Sequence, residues 1–584
     1  MHESPSDNLF HRFDRKFFDS DQDFTLIGSG ALGGKAQGLA FIKGVLERDL
    51  PADTFSGIEV GVPRLTVITT DHFDRFMQRN DLRERAFSDA PDDRIAHAFQ
   101  SAELPVEIVG DLRGLIEKVH TPLAIRSSSL LEDALHHPFA GVYATKMIPN
   151  NQLDATTRFR KLVEAIKFVY ASTFFKGAKS YMKAIGHGLE NEKMAVIIQE
   201  VVGRRYGDRF YPTLSGVARS YNFYPTGRAR PEHGVVNLAL GLGKTIVDGG
   251  VSWTYSPAFP AVAPPYGSIG ELLKQTQTVF WTVNMGKPPS YDPIHETEYL
   301  VRASLENAEA DGTLRYVAST YIAASDRLNM GIGSPGPRAI TFAPILDLPD
   351  IPLNNLAKTL LRISEQAAEA KVEIEFAMTL DPEQGLPARF GFLQVRPMMV
   401  SDEFVEVSAE EMAAENVLAA SESVLGNGVI NTLEDVVYVR PEEFEAKHTP
   451  EIAAEIEAMN VELVKAERPY LLIGFGRWGS SDPWLGIPVT WPQVSGAKVI
   501  VEATTPEMNV DPSQGAHFFH NITSLRVSYF SVHHAGEWEI DWDWLGEQQR
   551  VAETRFVKHV RLPAPLRIKV DGRSSRGVIL RATP

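Results

Sequence analysis

The chain has 584 residues with 43% hydrophobic content, enough for real cores and, on ordinary domain sizes, roughly three or four domain-sized units. Its 58 basic and 75 acidic residues leave a net charge of −17, which argues against non-specific nucleic-acid binding, and zero cysteines exclude disulfides, thiolate metal sites and cysteine nucleophiles. No run of eighteen apolar residues occurs and the opening MHESPSDNLFHRFDRKFF lacks an apolar signal region, so the expectation is a cytoplasmic protein without membrane contact.

The first informative stretch is Phe24-Thr-Leu-Ile-Gly28-Ser-Gly30-Ala-Leu-Gly33-Gly34-Lys35, followed by the helical pattern AQGLAFIKGVLERDL. Gly28, Gly30 and Gly33 match a dinucleotide GxGxxG fingerprint, with Glu47 or Asp49 at a tolerable distance for a ribose. Lys35 sits just inside the helix start, where loop amides, helix dipole and ammonium together also suit a triphosphate. Both readings stand, beside a plain glycine-rich turn with a solvated lysine. From Asp49 to Thr121 a strand VPRLTVITT and amphipathic helices around DHFDRFMQRNDLRERAF and DRIAHAFQSAEL are expected, with no evident chemistry.

In Leu123–Thr145, an apolar run ends in Arg126 and Ser127–Ser129, an acidic pair Glu132/Asp133 follows, and Ala140-Gly141 leads to Thr145. A strand delivering a guanidinium to a serine-lined turn suits a polyphosphate, although an arginine salt-bridged to a carboxylate beside an ordinary loop gives the same pattern. RFRKLVEAIKFVYASTFFKGAKSYMKAIG reads as a long helix whose basic residues snorkel from a packed face. MAVIIQEVVG reads as a buried strand leaving through Gln199-Glu200-Val201-Val202, and Ser215–Ala218 as another. Gly241-Leu-Gly243-Lys244-Thr245 fails as a P-loop because Leu238 stands where the first glycine is required. Residues 256–338 read as a partly helical insertion, with a helical middle in PIHETEYLVRASLENAEADG, and His295-Glu296 lacks the second histidine of a zinc motif.

In Lys371-Val-Glu373-Ile-Glu375-Phe-Ala377, alternation places both carboxylates on one strand face. Phe392-Leu-Gln394-Val-Arg396-Pro397 forms a second strand with Gln394 and Arg396 together, and the intervening Asp381–Gly385 turn makes an antiparallel pair. A carboxylate, an amide oxygen and a guanidinium then converge, and hard oxygens suit Mg²⁺ bridging nucleotide phosphates.

These segments, in this order, resemble the nucleotide-binding domain of the phosphoenolpyruvate synthase and pyruvate phosphate dikinase family, whose motifs run GGK, VRSSATAED with FAGQ and Thr, SGV, GLGE, DIEWA and LQxRP. The resemblance covers about residues 24 to 400 and implies an ATP-grasp-like α/β (α+β) domain at 1–400, with ATP and Mg²⁺ as cofactors. It implies nucleotide contacts from Gly33, Gly34, Lys35, Arg126, Gly141, Thr145, Gln199, Val201, Glu375, Gln394 and Arg396. Glu375 and Gln394 are the implied metal ligands, and Lys35, Arg126 and Arg396 would offset charge during transfer. Lys244 replaces the family's glutamate after GLG, reversing a charge near the nucleotide.

The tail from 401 to 584 begins with an acidic, helical, linker-like SDEFVEVSAEEMAAENVLAASES and turns β-rich, giving the expectation of a smaller α/β domain, with a swivelling-domain-like fold as one reading. It leaves no room for the family's pyruvate-binding barrel, so the acceptor is undefined. His517, in Gln514-Gly515-Ala516-His517-Phe518-Phe519, loosely echoes the family's phosphorylatable histidine, against a reading as a buried core histidine. The loop Gly474–Trp484 gathers Arg477, Ser480 and Ser481 with tryptophans, either as a second anion site or as a structural turn. Three functions follow: an ATP-dependent phosphotransferase acting on an unknown small-molecule or protein acceptor, a nucleotide-binding regulatory or scaffold protein without turnover, and, further behind, a nicotinamide oxidoreductase.

Overall fold

A computed structural model describes residues 9–15, 23–130, 132, 141–184, 187–264, 268–347, 351–380, 388–400, 405–506, 508, 516–572 and 574–582. Asp133, Ala140, the Asp381–Gly385 turn, Gln514 and Gly515 lie outside them. The chain divides into two compact units: one comprises 1–220, 233–245 and 251–397, the other 221–232, 246–250 and 398–584.

The first unit is an α/β assembly built on two six-stranded sheets. In one, Phe24–Ile27 and Leu65–Ile68 run parallel, and Met194–Glu200, Leu123–Ser129 and Thr145–Ile148 continue antiparallel. Glycine turns the chain from the first of these strands into the helix Gly34–Asp49, whose Ala36, Leu39, Ala40, Ile42 and Val45 are buried. The other sheet orders Trp253–Tyr255, Val235–Ala239, Leu214–Arg219, Val372–Thr379 and Ala388–Pro397 antiparallel, with Ile58–Gly61 parallel at its edge. Its apolar face, with Phe376, Phe390 and Phe392, packs against the helix Leu353–Ala368 through Leu356, Leu360 and Leu361.

The segment expected as an insertion supplies Phe280, Ala303, Ala308, Leu314, Val317 and Ile340 to that same apolar cluster. Its expected helical middle is instead a strand, Leu300–Ser304, followed by the short helix Leu305–Ala310. The strand partners Val279–Asn284, and pairing outweighs local helix preference in LVRAS. The long helix expected after Asp154 is two, Ala155–Ser172 and Lys176–Ala184, broken at Thr173–Phe175.

The second unit centres on one nine-stranded sheet in which Asn427–Val439, Tyr470–Phe475, Ala497–Ala503 and Ser528–Val532 are parallel neighbours in sequence order. The helix Thr449–Lys465 links the first two. Among the described residues, the acidic stretch expected as helix holds one helical turn, Ala409–Met412, before entering the strand Val417–Ser421. Among the described residues no helix is long and apolar enough to cross a membrane.

Candidate functional site

The two six-stranded sheets of the first unit meet at Arg126. Its strand pairs antiparallel with Met194–Glu200, which sets Arg126 opposite Ile197 in the middle of that strand, with Gln199 two residues along the same face. From there one guanidinium nitrogen, Nη1, donates to Gln199 Oε1 (3.0 Å) and to the Leu393 carbonyl (2.8 Å), while Nη2 donates to Gln394 Oε1 (2.9 Å). The Leu393 carbonyl is available because the ladder slips there: Glu375 faces Gln394 but Phe376 faces Phe392, leaving Leu393 as the extra residue of a bulge. Gln199 also donates through Nε2 to the Pro63 carbonyl (3.4 Å), so its amide is held at both ends.

One register step along, three strands place Arg219, Glu373 and Arg396 side by side. Arg396 Nε donates to Glu373 Oε1 (2.5 Å) and its Nη2 to Glu375 Oε1 (2.9 Å), while Arg219 binds the other oxygen of Glu373. Arg219, Glu373 and Arg396 are fully buried, whereas the Glu375 side chain keeps 15% exposure. Burial pulls the Arg219 pKa down against the opposing pull of Glu373, and Arg219 was not singled out from sequence. Strand alternation alone would have placed it inward with Val217, but nothing local to the sequence names Glu373 as its partner.

The glycine-rich loop is closed upon itself by a different set of contacts. The amides of Ser29 and Gly30 donate to Asp71 Oδ1 (3.3 and 2.9 Å), and the Ala31 amide donates to Thr70 Oγ1 (3.0 Å). Burial pushes the Asp71 carboxyl up, but hydrogen bonds from the Thr69 hydroxyl and the loop amides, with His72 nearby, hold it below the usual range. Thus the loop amides that the dinucleotide reading gives to a pyrophosphate already face an internal carboxylate. Gly33 adopts φ 76°, and a Cβ there would lie 1.8 Å from the Ser128 carbonyl, so the loop can rest on the serine strand only without a side chain.

Lys35 follows the same logic. Its Nζ lies 2.7 Å from Glu132 Oε1, with both side chains buried, and Glu132 also accepts from Ser127 Oγ (3.1 Å) and the Ser129 amide (3.2 Å). Ser128 Oγ accepts from the Ala36 amide (3.0 Å) and donates to the Leu32 carbonyl (2.9 Å), which ties the helix start to the strand. Beneath this cluster Glu192 accepts from the Leu130 amide (3.2 Å), and burial raises its carboxyl to about 7.

Of the other expected residues, Thr145 faces Arg126 directly across the antiparallel strand pair. The Thr145 amide donates to Glu296 Oε1 (3.1 Å), and the neighbouring Lys146 is buried in a cage of Glu298 (2.7 Å) and the Pro293 and His295 carbonyls (both 2.9 Å). Gly141 takes φ 63° and is exposed. The Val201 amide donates to the Pro122 carbonyl (2.9 Å). Lys244 is half-buried with its ammonium 6.0 Å from the Trp281 ring centre.

In the second unit the Gly474–Trp484 loop grips backbone. Arg477 Nη1 donates to the Gly249 carbonyl (3.3 Å), Ser480 Oγ to the same carbonyl (3.4 Å), and the Ser481 amide to the Asp248 carbonyl (3.0 Å). Trp478 donates its indole N–H to the Val501 carbonyl (3.1 Å), and Gly479, at φ 77°, leaves no room for a Cβ against Phe518. His517 is half-buried and begins the helix His517–Ser524.

No curated protein matches the chain. Residues 29–417, about two thirds of its length, match the family described as pyruvate phosphate dikinase, AMP/ATP-binding domain. That span holds every residue of the Arg126, Gln199, Glu375, Gln394 and Arg396 cluster, and the chain belongs to the family of the pyruvate phosphate dikinase AMP/ATP-binding domain.

Proposed function

We propose that this protein is an ATP-dependent phosphotransferase that moves a phosphoryl or pyrophosphoryl group from Mg-ATP to an acceptor yet to be identified. The observation that carries the reading is the convergence of Arg126, Gln199, Gln394, Glu375 and Arg396 from four strands of two sheets. Two guanidiniums, Arg126 bound to Gln394 and Arg396 two residues along the same strand, suit the charge of a polyphosphate and its growth during transfer. Glu375 and Gln394 offer hard oxygens of the kind Mg²⁺ takes, the ion drawing its remaining ligands from phosphates and water, and when bound it would neutralise phosphate charge. Two protein oxygens leave most of the ion's coordination to the nucleotide and water, so a nucleotide-shared ion is the arrangement this donor pair supports.

Lys35 would reach a phosphate by exchanging its carboxylate partner Glu132 for the nucleotide. That pairing also favours a second reading, a nucleotide-binding regulator without turnover, because it satisfies the lysine in the absence of ligand. Incubation with Mg²⁺ and doubly labelled ATP, following AMP, ADP and acid-labile protein phosphate in the unaltered chain and in Glu375→Ala and His517→Ala, separates the two. AMP with acid-labile label lost in both variants supports transfer through His517, and ADP alone supports direct transfer or hydrolysis. Binding without either product, across a screen of metabolite acceptors, supports the regulator.

A further inference from the structure

Resting on the nucleotide reading, we propose that Arg219 is a positioning residue of this site, which shares the neutralisation of Glu373 with Arg396 so that Arg396 can extend to Glu375 as well and Glu375 is left as the carboxylate for the magnesium-bound nucleotide. Glu373 lies between two arginines, one oxygen bound by Arg219 and the other by Arg396, and it is fully buried. With both oxygens engaged by guanidiniums, it has no geometry in which to ligate a metal while the row is intact. Glu375, two residues along the same strand face, is the member of the row that retains access to solvent.

The charge balance gives the arrangement its consequence. Two arginines and two glutamates sum to zero, and deleting the Arg219 charge leaves an excess buried carboxylate beside the phosphates. Arg396, which already binds Glu373 through Nε and Nη2 and reaches Glu375 through Nη2, would then be the row's one cation for two carboxylates and would be drawn further onto the more buried of them. The register itself keeps Arg219 close: it faces Glu373 across the antiparallel pair of Leu214–Arg219 and Val372–Thr379.

The test is calorimetric titration of Mg-ATP into the full chain and into Arg219→Met, Arg219→Lys, Glu373→Gln and the double variant Arg219→Met/Glu373→Gln, with circular dichroism confirming the fold of each. Arg219→Met is expected to bind about tenfold or more weakly, the effect of one uncompensated charge within ~10 Å of a triphosphate. Glu373→Gln should bind at least as tightly as the unaltered chain, and the double variant should recover most of the loss, because it restores neutrality. A purely structural arginine predicts instead that both single variants fall and the double variant falls further. That pattern, or unchanged affinity in folded Arg219→Met, overturns the role of Arg219. If Arg219→Met fails to fold, the contrast of Glu373→Gln with Arg219→Lys and the double variant decides the matter. Absence of Mg-ATP binding by the unaltered chain would overturn the nucleotide reading itself and this role with it.

Discussion

Consider the replacement of Glu132 by glutamine. The carboxylate receives the Lys35 ammonium at 2.7 Å, the Ser127 hydroxyl at 3.1 Å and the Ser129 amide at 3.2 Å, and the two charged side chains keep only 7% and 5% exposure. At an effective dielectric constant of about 20 their attraction is roughly 6 kcal/mol, most of it offset by the cost of taking both charges out of water. A glutamine can direct its oxygen to Lys35 and Ser127 only by turning its N–H donors toward the Ser129 amide. The expected loss is about 2–4 kcal/mol in the first unit, with a similar loss for Lys35→Met, which strands the carboxylate. The double variant should cost much less than the sum, giving a coupling of about 2–3 kcal/mol. Hydrogen exchange of the amides in Phe24–Ile27 and Leu123–Ser129 reads the local stability for the cycle without interference from the second unit. A coupling below about 0.5 kcal/mol would refute the reasoning, since the ion pair would then not be the link between glycine loop and serine strand.

Arg126→Met should weaken Mg-ATP binding by about tenfold or more and cost about 2–3 kcal/mol, as Gln199, Gln394 and the Leu393 carbonyl lose a shared donor; titration calorimetry and thermal melts check both. Arg126→Lys should rescue little of the binding, because an ammonium cannot reproduce the fork. Glu192 has its carboxyl raised from 4.5 to about 7 by burial, so between those values the folded chain holds a proton that the unfolded chain has released. Its contribution therefore favours folding below pH ~4.5 and is lost as pH rises toward about 7, and Glu192→Gln should be more stable than the parent at pH 8 by a few kcal/mol; equal melts at pH 5 and pH 8 for both proteins would count against it. Gly479→Ala should destabilise the second unit by about 2–4 kcal/mol, given φ 77° and a Cβ only 2.3 Å from the Phe518 ring. Gly546→Ala, in a helix with nothing within 4 Å, should stabilise it by about 0.5–1 kcal/mol in the same denaturation series.

The parts of the site that were legible in the sequence are those carried by short spacing. Glu373 and Glu375 two apart, and Gln394 and Arg396 two apart, follow from period-two alternation and from family motifs, whereas Arg126, expected where the apolar run ends, sits in the middle of a strand that continues through Ser127–Ser129. What alternation could not give is the partner across space. Asp71 lies in DHFDRFMQRN, which reads as a surface helix, yet its carboxylate closes the glycine loop through the Ser29 and Gly30 amides. Glu132 was visible as half of an acidic pair, but its pairing with a lysine 97 positions earlier depends on how sheet and helix are stacked. Arg477, Ser480 and Ser481 carry the composition of an anion site, whereas their donors meet carbonyls of Asp248 and Gly249. Composition counts donors; it does not say which acceptors the fold brings to them. The helical expectations for LVRAS and VLAAS failed for a related reason, since strand partners far along the chain decide short apolar runs.

The bulge at Leu393 has a consequence for how this segment tolerates changes of length. Because one residue is surplus to the ladder, Phe392 and Gln394 face opposite sides of the sheet although they are two apart, one in the apolar cluster and the other beside Arg126. Excision of Leu393 would restore even pairing and keep every flanking side chain on its present side, while withdrawing the carbonyl that Arg126 uses. Adding or removing a residue on either flank would instead exchange inside for outside along the rest of the strand and send Gln394 and Arg396 to the wrong sheet face. In length variation, then, this strand has a single position where one residue can be lost without scrambling the site, and what is lost there is a contact rather than the fold.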